Sequence, residues 1–209
     1  QALLNFLVRL GWSHGDDEIF SMQEMQELFN PKDINKSASI YNTEKLDWLN
    51  AHYIKNTPNE ELAKLLEDYD VVITSHDKKE ILLDVLKDRA KTLKELANLV
   101  TEVITTPTSY DEKSAKKAFK GDFVEILNQF GSKLTSASEL HLPSDYHNLM
   151  QEVVDEMEIG FGKIGQPLRV ALLGKMSGPG LDSVMAVIGK TETLLRIANA
   201  ITAQLNKGE

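Results

Sequence analysis

The sequence predicts an all-α protein built of several helical subdomains. Three observations predict it. Apolar residues recur at three- and four-residue spacings through nearly the whole chain, the period of an amphipathic helix. Two helix-start signals, Ser21 with Glu24 and Thr92 with Glu95, stand directly ahead of such stretches, where the paired side chains can satisfy free backbone N–H groups. Prolines and turn residues mark the boundaries, at Pro31, Pro58, Pro107 and Gly178-Pro179-Gly180.

Taken in order, residues 3–10 read as the end of a helix, and 11–17 as a loop of turn-forming residues. Ser21 opens a helix that runs through Phe29 and stops at Pro31. After the polar segment 32–39, Asn42 or Thr43 caps a helix carrying Leu46, Trp48, Leu49 and Tyr53. Thr57-Pro58 marks a boundary. Glu60 to Tyr69 is a short helix, and Val71 to Ile73 a brief apolar run. From Asp77 or Lys78 a helix carries Ile81, Leu82, Val85 and Leu86. Continuing it to Ile104 would set Arg89 on the apolar stripe of Leu82, Leu86, Leu93 and Leu96, and burying a lone guanidinium there is costly. The Thr92–Glu95 signal offers a break instead. The sequence therefore predicts a loop at 88–91 that presents Arg89, a helix over 92–104, and a linker at 105–108. A salt bridge from Arg89 to Asp88 or Glu95, or a cap on the preceding carbonyls, is the structural alternative.

Asp111 to Lys120, Asp122 to Phe130 and about 144–160 read as three amphipathic helices. Leu149, Val153 and Met157 form a core stripe in the last of them, and Lys113, Lys116, Lys117 and Lys120 a solvated basic face. Pro167 fits the first position of a short apolar helix over Leu168 to Leu173, interrupted by Arg169 alone. Gly174 ends that helix. Leu181 to Ile188 starts another, closed by Gly189, and Thr191 to Asn206 is the final helix. Lys175 to Gly180 is thus a basic, glycine-punctuated loop held between two buried helices. Rigid loops on a helical scaffold are where binding residues concentrate. For Arg169, pairing with a nearby carboxylate is the structural alternative.

The chain has 209 residues, enough for one large domain or two to three small ones, with 42% hydrophobic and 26% charged residues. No apolar run approaches the roughly 20 residues of a membrane span, so no membrane partner is expected. Asn5 and Arg9 interrupt the opening apolar stretch, which does not read as a signal peptide. Cysteine is absent, which rules out a disulfide frame and a thiolate zinc site. The chain opens without methionine in the middle of a helical pattern, which suggests a piece of a longer protein. His14 and His52 lie far apart without an evident third ligand. They read as a polar turn residue and a packed helix residue, and no metal site is expected. The net charge of −9 argues against a general nucleic-acid binder. The charge is uneven, however: residues 160–209 hold six basic side chains against three acidic ones, a net of +3 that leaves −12 on 1–159.

The stretch Gly165-Gln-Pro167-Leu-Arg169, the Gly178-Pro179 turn and Ile188-Gly189-Lys190 together resemble the C-terminal end of bacterial glutamyl-tRNA synthetases. Three earlier stretches are similar to the same family: Leu10-Gly-Trp-Ser-His-Gly15, Lys36-Ser37 and Lys45-Leu-Asp-Trp-Leu-Asn-Ala-His-Tyr-Ile54. The resemblance runs from Leu3 to about Ala200. It implies a stem-contact region at 1–55, a first anticodon-binding helical subdomain at 56–106 and a second at 107–209. The family's anticodon contacts carry over to Arg89, Arg169, Gly178 and Pro179, with Lys87, Lys91 and Lys175 as candidate tRNA backbone contacts. Some relatives carry a hydroxyl side chain where this chain has Gly178.

The ATP-binding signatures of that synthetase class do not occur in their proper setting. Lys175-Met176-Ser177 imitates the start of one, but Gly178-Pro179 follows and the position is wrong. No Walker loop, dinucleotide fingerprint or Ser/His/Asp arrangement is recognisable. The resemblance thus implies a tRNA(Glu)-binding half without catalytic residues or a cofactor of its own. ATP and Mg would serve an N-terminal catalytic domain of a cytoplasmic, monomeric parent enzyme. The rival reading is an acidic all-α protein-interaction module. A basic face at Arg89, Arg169 and Lys175 favours RNA, and an exposed apolar groove favours a protein partner.

Overall fold

The computed structural model of the chain describes residues 1–35 and 40–206. Lys36-Ser37 lies outside them. Among the described residues the elements are eleven α-helices and two 3-10 turns. They begin with α1 (Ala2–Arg9), α2 (Met22–Leu28) and α3 (Thr43–Asn56). The segment between α1 and α2 carries turns at 10–11 and 15–16, and Asn5 holds its second half. The Asn5 amide donates to the Glu18 carbonyl at 2.8 Å, while its oxygen accepts from the Phe20 N–H at 2.7 Å and from Tyr53 Oη at 3.0 Å. A fully buried asparagine is tolerated there because its hydrogen-bonding groups are matched. Ser21 and Glu24 form the reciprocal cap of α2, and the Asn42 side chain caps α3 at Lys45.

The next helices are α4 (Asn59–Glu67), α5 (Lys79–Leu86) and α6 (Leu93–Ile104). Val71 and Ile73 are buried in the loop between α4 and α5, whereas Val72 points outward. A 3-10 turn at Lys87–Arg89 ends α5, and Ala90 then turns extended. The break falls where the sequence requires it: Leu82, Leu86 and Leu96 are buried, and Arg89 is exposed. The Thr92 hydroxyl accepts from the Glu95 N–H at 3.1 Å, and the Glu95 carboxylate reaches back to the Lys91 N–H at 2.7 Å.

The chain continues through α7 (Glu112–Ala118), α8 (Phe123–Ser136), α9 (Pro143–Glu156), α10 (Phe161–Leu173) and α11 (Leu181–Leu205). Helix α8 runs past the expected end at Phe130. Leu127, Phe130 and Leu134 continue one buried stripe, and the Ser132, Thr135 and Ser136 hydroxyls bond carbonyls four residues back. Helix α9 is shorter than expected, because Glu158 takes a left-handed conformation with φ 51°. Tyr146, Met150 and Val153 are its fully buried stripe, flanked by half-buried Leu149 and Met157.

Helix α10 differs most from expectation. Pro167 is an interior residue, six positions after the first. The apolar repeat explains it: Ile164, Leu168 and Leu172 are spaced four apart and are all fully buried, so burial carries the helix through the proline. The ring removes only the bond that residue 167 would have donated to the Lys163 carbonyl. Gly174 ends the helix in the left-handed conformation (φ 72°), where a Cβ would meet the Ser109 carbonyl oxygen at 2.9 Å. Gly189 (φ 77°, ψ 173°) breaks α11 into the two helical parts that the sequence predicts.

One apolar core runs from Ile54 to Ile197 and draws on both 56–106 and 107–209. Smaller clusters lie around Ala2, Phe6 and Leu49, and around Trp12, Phe20 and Met25. His14 is exposed beside the Trp12 ring, and His52 is half-buried against Tyr53.

Candidate nucleic-acid interface

The end of α5 and the loop after α10 meet at one place. Pro179 is buried, and it lines one small cavity together with Ile81, Leu82, Val85 and Leu86 of α5 and Val184 of α11. That shared wall sets the loop at 174–180 beside α5, whose end carries the Arg89 turn. Arg169 reaches the same loop from α10, and its Nη1 donates to the Pro179 carbonyl at 2.6 Å. The alternative of a carboxylate ion pair for Arg169 is not what the fold builds. Its partner is a neutral carbonyl, and Asp182 acts on it electrostatically without forming an ion pair.

Burial pushes the pKa of the Arg169 guanidinium down, and the charge of Arg89 pushes it down further, against an opposing effect of Asp182. Two arginines thus stand close enough to repel, with neither in an ion pair among the described residues. The carboxylates nearest to Arg89 in sequence are engaged elsewhere. Asp88 pairs with Lys55 at 3.2 Å, Asp84 with Lys87, and Glu95 holds the Lys91 N–H. Like charges brought together without neutralisation cost folding free energy, and such arrangements concentrate where an anion or acceptor binds.

The remaining predicted positions fall into two groups. Lys91 is exposed, and its ammonium pairs with no carboxylate among the described residues. Lys87 pairs with Asp84 at 2.9 Å and donates to the Asn59 side-chain oxygen at 3.1 Å, and Lys175 pairs with Glu102 at 2.8 Å. Gly178 has φ 150°, and a Cβ there would fall 2.5 Å from Leu173 Cδ1 and 3.7 Å from Arg169 Nη1. The loop therefore needs glycine at the position where a hydroxyl residue occurs in some relatives. Lys94, one turn into α6, is also exposed and unpaired among the described residues, and sequence reasoning passed it over because the capping signal absorbed its neighbours. Met176 packs inward, and its N–H donates to Ser114 Oγ at 3.2 Å, so Lys175-Met176-Ser177 is part of a structural corner. An apolar groove among the described residues lies elsewhere, between α1 and α2, lined by Leu4, Leu7, Trp12, Met25 and Phe29.

Residues 43–201 match the family described as an anticodon binding domain, and residues 1–48 match the catalytic domain of the class I tRNA synthetases for E and Q. The chain belongs to the anticodon binding domain family. Its curated relatives are glutamate–tRNA ligases. Glutamate–tRNA ligase 1 of Sulfurimonas denitrificans is 76% identical over 200 residues, covering 96% of this chain and 43% of the relative. Glutamate–tRNA ligase 2 of Nitratiruptor sp. is 65% identical over 206 residues, covering 99% of this chain and 44% of the relative. The chain thus spans less than half the length of these relatives. Among solved structures, a glutamate tRNA ligase from Elizabethkingia meningosepticum superposes with a TM-score of 0.87 at 29% identity, covering 96% of this chain and 40% of that one. No described helix is long and apolar enough to cross a membrane.

Proposed function

We propose that this chain binds the anticodon arm of the glutamate tRNA for a cytoplasmic, monomeric glutamate–tRNA ligase. One observation carries the reading. In a chain of net charge −9, Arg89 and Arg169 stand close together without a carboxylate ion pair among the described residues, where the end of α5 meets the loop after α10 in an anticodon binding domain. Anticodon bases are unstacked and expose their Watson–Crick edges to side chains on rigid supports. Guanidinium groups supply planar donors for the acceptors of cytosine or guanine. In this reading Arg89 contacts the third anticodon base, where glutamate and glutamine tRNAs differ. Arg169 and the Gly178–Pro179 turn form the wall beside it, and Lys91 and Lys94 approach the backbone. Lys87 and Lys175 reach the backbone only by exchanging their present carboxylates for phosphate.

Residues 1–55 act as the stem-contact region that joins this half to a catalytic domain, a role supported by the match of 1–48. Glutamate activation with ATP and Mg belongs to that other domain, and this chain alone performs no aminoacylation. The rival, an acidic protein-interaction module, has little support, since neither arginine lines the apolar groove and the matching families are an anticodon binding domain and a tRNA synthetase catalytic domain. A titration of this chain with glutamate tRNA, using an unrelated tRNA at the same salt as control, tests the proposal. Preference for the glutamate tRNA is expected. Equal affinity for both would refute it.

A further inference from the structure

Arg196, on the second part of α11, is fully buried. Its Nε donates to Glu192 Oε1 at 2.7 Å, and its Nη1 donates to the Leu172 carbonyl at 2.7 Å. The same Glu192 oxygen accepts from the Thr106 hydroxyl. Arg196 Nη2 is buried without a hydrogen-bond partner among the described residues. Burial pushes the Glu192 carboxyl up, but the bonds from Thr106 and Arg196 and the Arg196 charge hold it below its ordinary value. The group is therefore an ion pair between a fully buried guanidinium and a carboxylate that is 28% exposed. For stability alone, an apolar side chain of similar volume would serve as well or better, and one orphaned nitrogen makes the pair costlier still.

The positions of its three partners show what it holds. Leu172 is in the last turn of α10, where carbonyls lack intrahelical donors. Arg169 lies three residues before it and Gly174 two after. Thr106 lies on the linker between α6 and α7, and this linker grips the loop that follows α10. The Asp111 N–H donates to the Gly174 carbonyl at 2.8 Å, and Pro107 and Ser109 crowd the space where a Gly174 side chain would go. The polar group therefore closes a ring that runs from α11 to the linker, to the loop, to the end of α10.

We infer that Arg196, with Glu192 and Thr106, is a positioning group that fixes where α10 ends and so sets Arg169 against the Pro179 carbonyl. This rests on the reading of Arg169 as an RNA contact. Thr106→Val removes one hydroxyl from a half-buried site, and Arg196→Lys keeps the charge but gives up the planar fork that spans two acceptors.

The test measures dissociation constants for an anticodon stem-loop of glutamate tRNA, at a temperature where circular dichroism shows each variant fully helical. Thr106→Val should weaken binding roughly threefold to tenfold and Arg196→Lys at least as much, within the range of couplings between contacting residues. Thr106→Ser, which keeps the hydroxyl, should bind like the wild type. With Arg169→Ala already present, adding Thr106→Val should change binding by less than about twofold, because the residue being positioned is gone. If Arg196→Lys does not fold, the Thr106 series carries the test. Wild-type affinity in Thr106→Val, with binding weakened in Arg169→Ala, would overturn the positioning role alone. So would a loss from Thr106→Val that is equally large without Arg169. If Arg169→Ala binds normally, the reading of the site itself falls, and the positioning role with it.

Discussion

Arg89 and Arg169 differ in how their cost is met. Arg169 is half-buried and anchored to a carbonyl, so its position is set before any ligand arrives. Arg89 is exposed, with its nearest carboxylates in sequence engaged by Lys55, by Lys87 and by a backbone N–H. Replacing Arg169 by Ala should therefore weaken anticodon stem-loop binding by at least tenfold, about the value of a hydrogen bond to a charged group, and a titration reads it directly. Gly178 answers a backbone requirement. At φ 150°, with Leu173 Cδ1 only 2.5 Å from where a Cβ would stand, Gly178→Ala should cost on the order of 1–3 kcal/mol in a denaturant melt. An unchanged midpoint would show that the loop relaxes freely. The exposure of Arg89 was legible in the sequence, because an arginine on a leucine stripe followed by a capping signal is spared burial by a helix break there. The Asn59 contact of Lys87 and the Glu102 partner of Lys175 were not legible, unlike the local pair of Lys87 with Asp84. Asn59 and Glu102 lie 28 and 73 residues away from them along the chain, and no local pattern reports such contacts.

At the scale of elements, local signals set the helix starts and burial decided their lengths. The Ser21–Glu24 and Thr92–Glu95 signals open helices where expected, because a cap is settled within four residues. Pro167 is the counterexample. Its preference for a first turn is local, whereas the Ile164–Leu168–Leu172 stripe that carries α10 through it gains its value only from the core it enters. Gly131 in α8 is a similar case: Leu134, fully buried beyond it, keeps the helix going. The cap of α6 fixes the turn that presents Arg89. Thr92→Ala should lower stability by about 1 kcal/mol, and Thr92→Ser should restore it. Thr92→Ala should also weaken stem-loop binding more than its stability loss explains, since on its α6 side the Arg89 turn then keeps the Glu95–Lys91 bond without the Thr92 cap.

Across the whole molecule, the acidic balance and the cationic site oppose each other. Each phosphate neutralised by a cation of the site releases counterions, so binding should fall with salt, by roughly 0.7 in log affinity per log unit of salt for each phosphate contact on a single strand. The carboxylates also set the acid limit of the fold. Hydrogen bonds from Asn59 and Lys87 lower the pKa of Asp84, and bonds from Ser114 lower that of Asp111. The Lys79 partner lowers that of Glu60, and Lys133 that of Glu156. A depressed folded-state value means that the stability contributed is present above the unfolded value, near 4, and is lost as pH falls through the folded one. Thermal midpoints should therefore be flat from neutral pH down to about 5 and fall below about 4. A fall centred near pH 6 would point to histidines instead. The central claim is that the Arg89 face reads the anticodon, and its most direct test compares two glutamate anticodon stem-loops that differ only at the third base. In equal salt, the wild-type chain should prefer cytosine over guanine by about 1–3 kcal/mol, by analogy with direct base readout, and Arg89→Gln should abolish that preference while keeping the fold. A wild-type chain that binds both stem-loops equally, or an Arg89→Gln variant that still discriminates, would contradict the account.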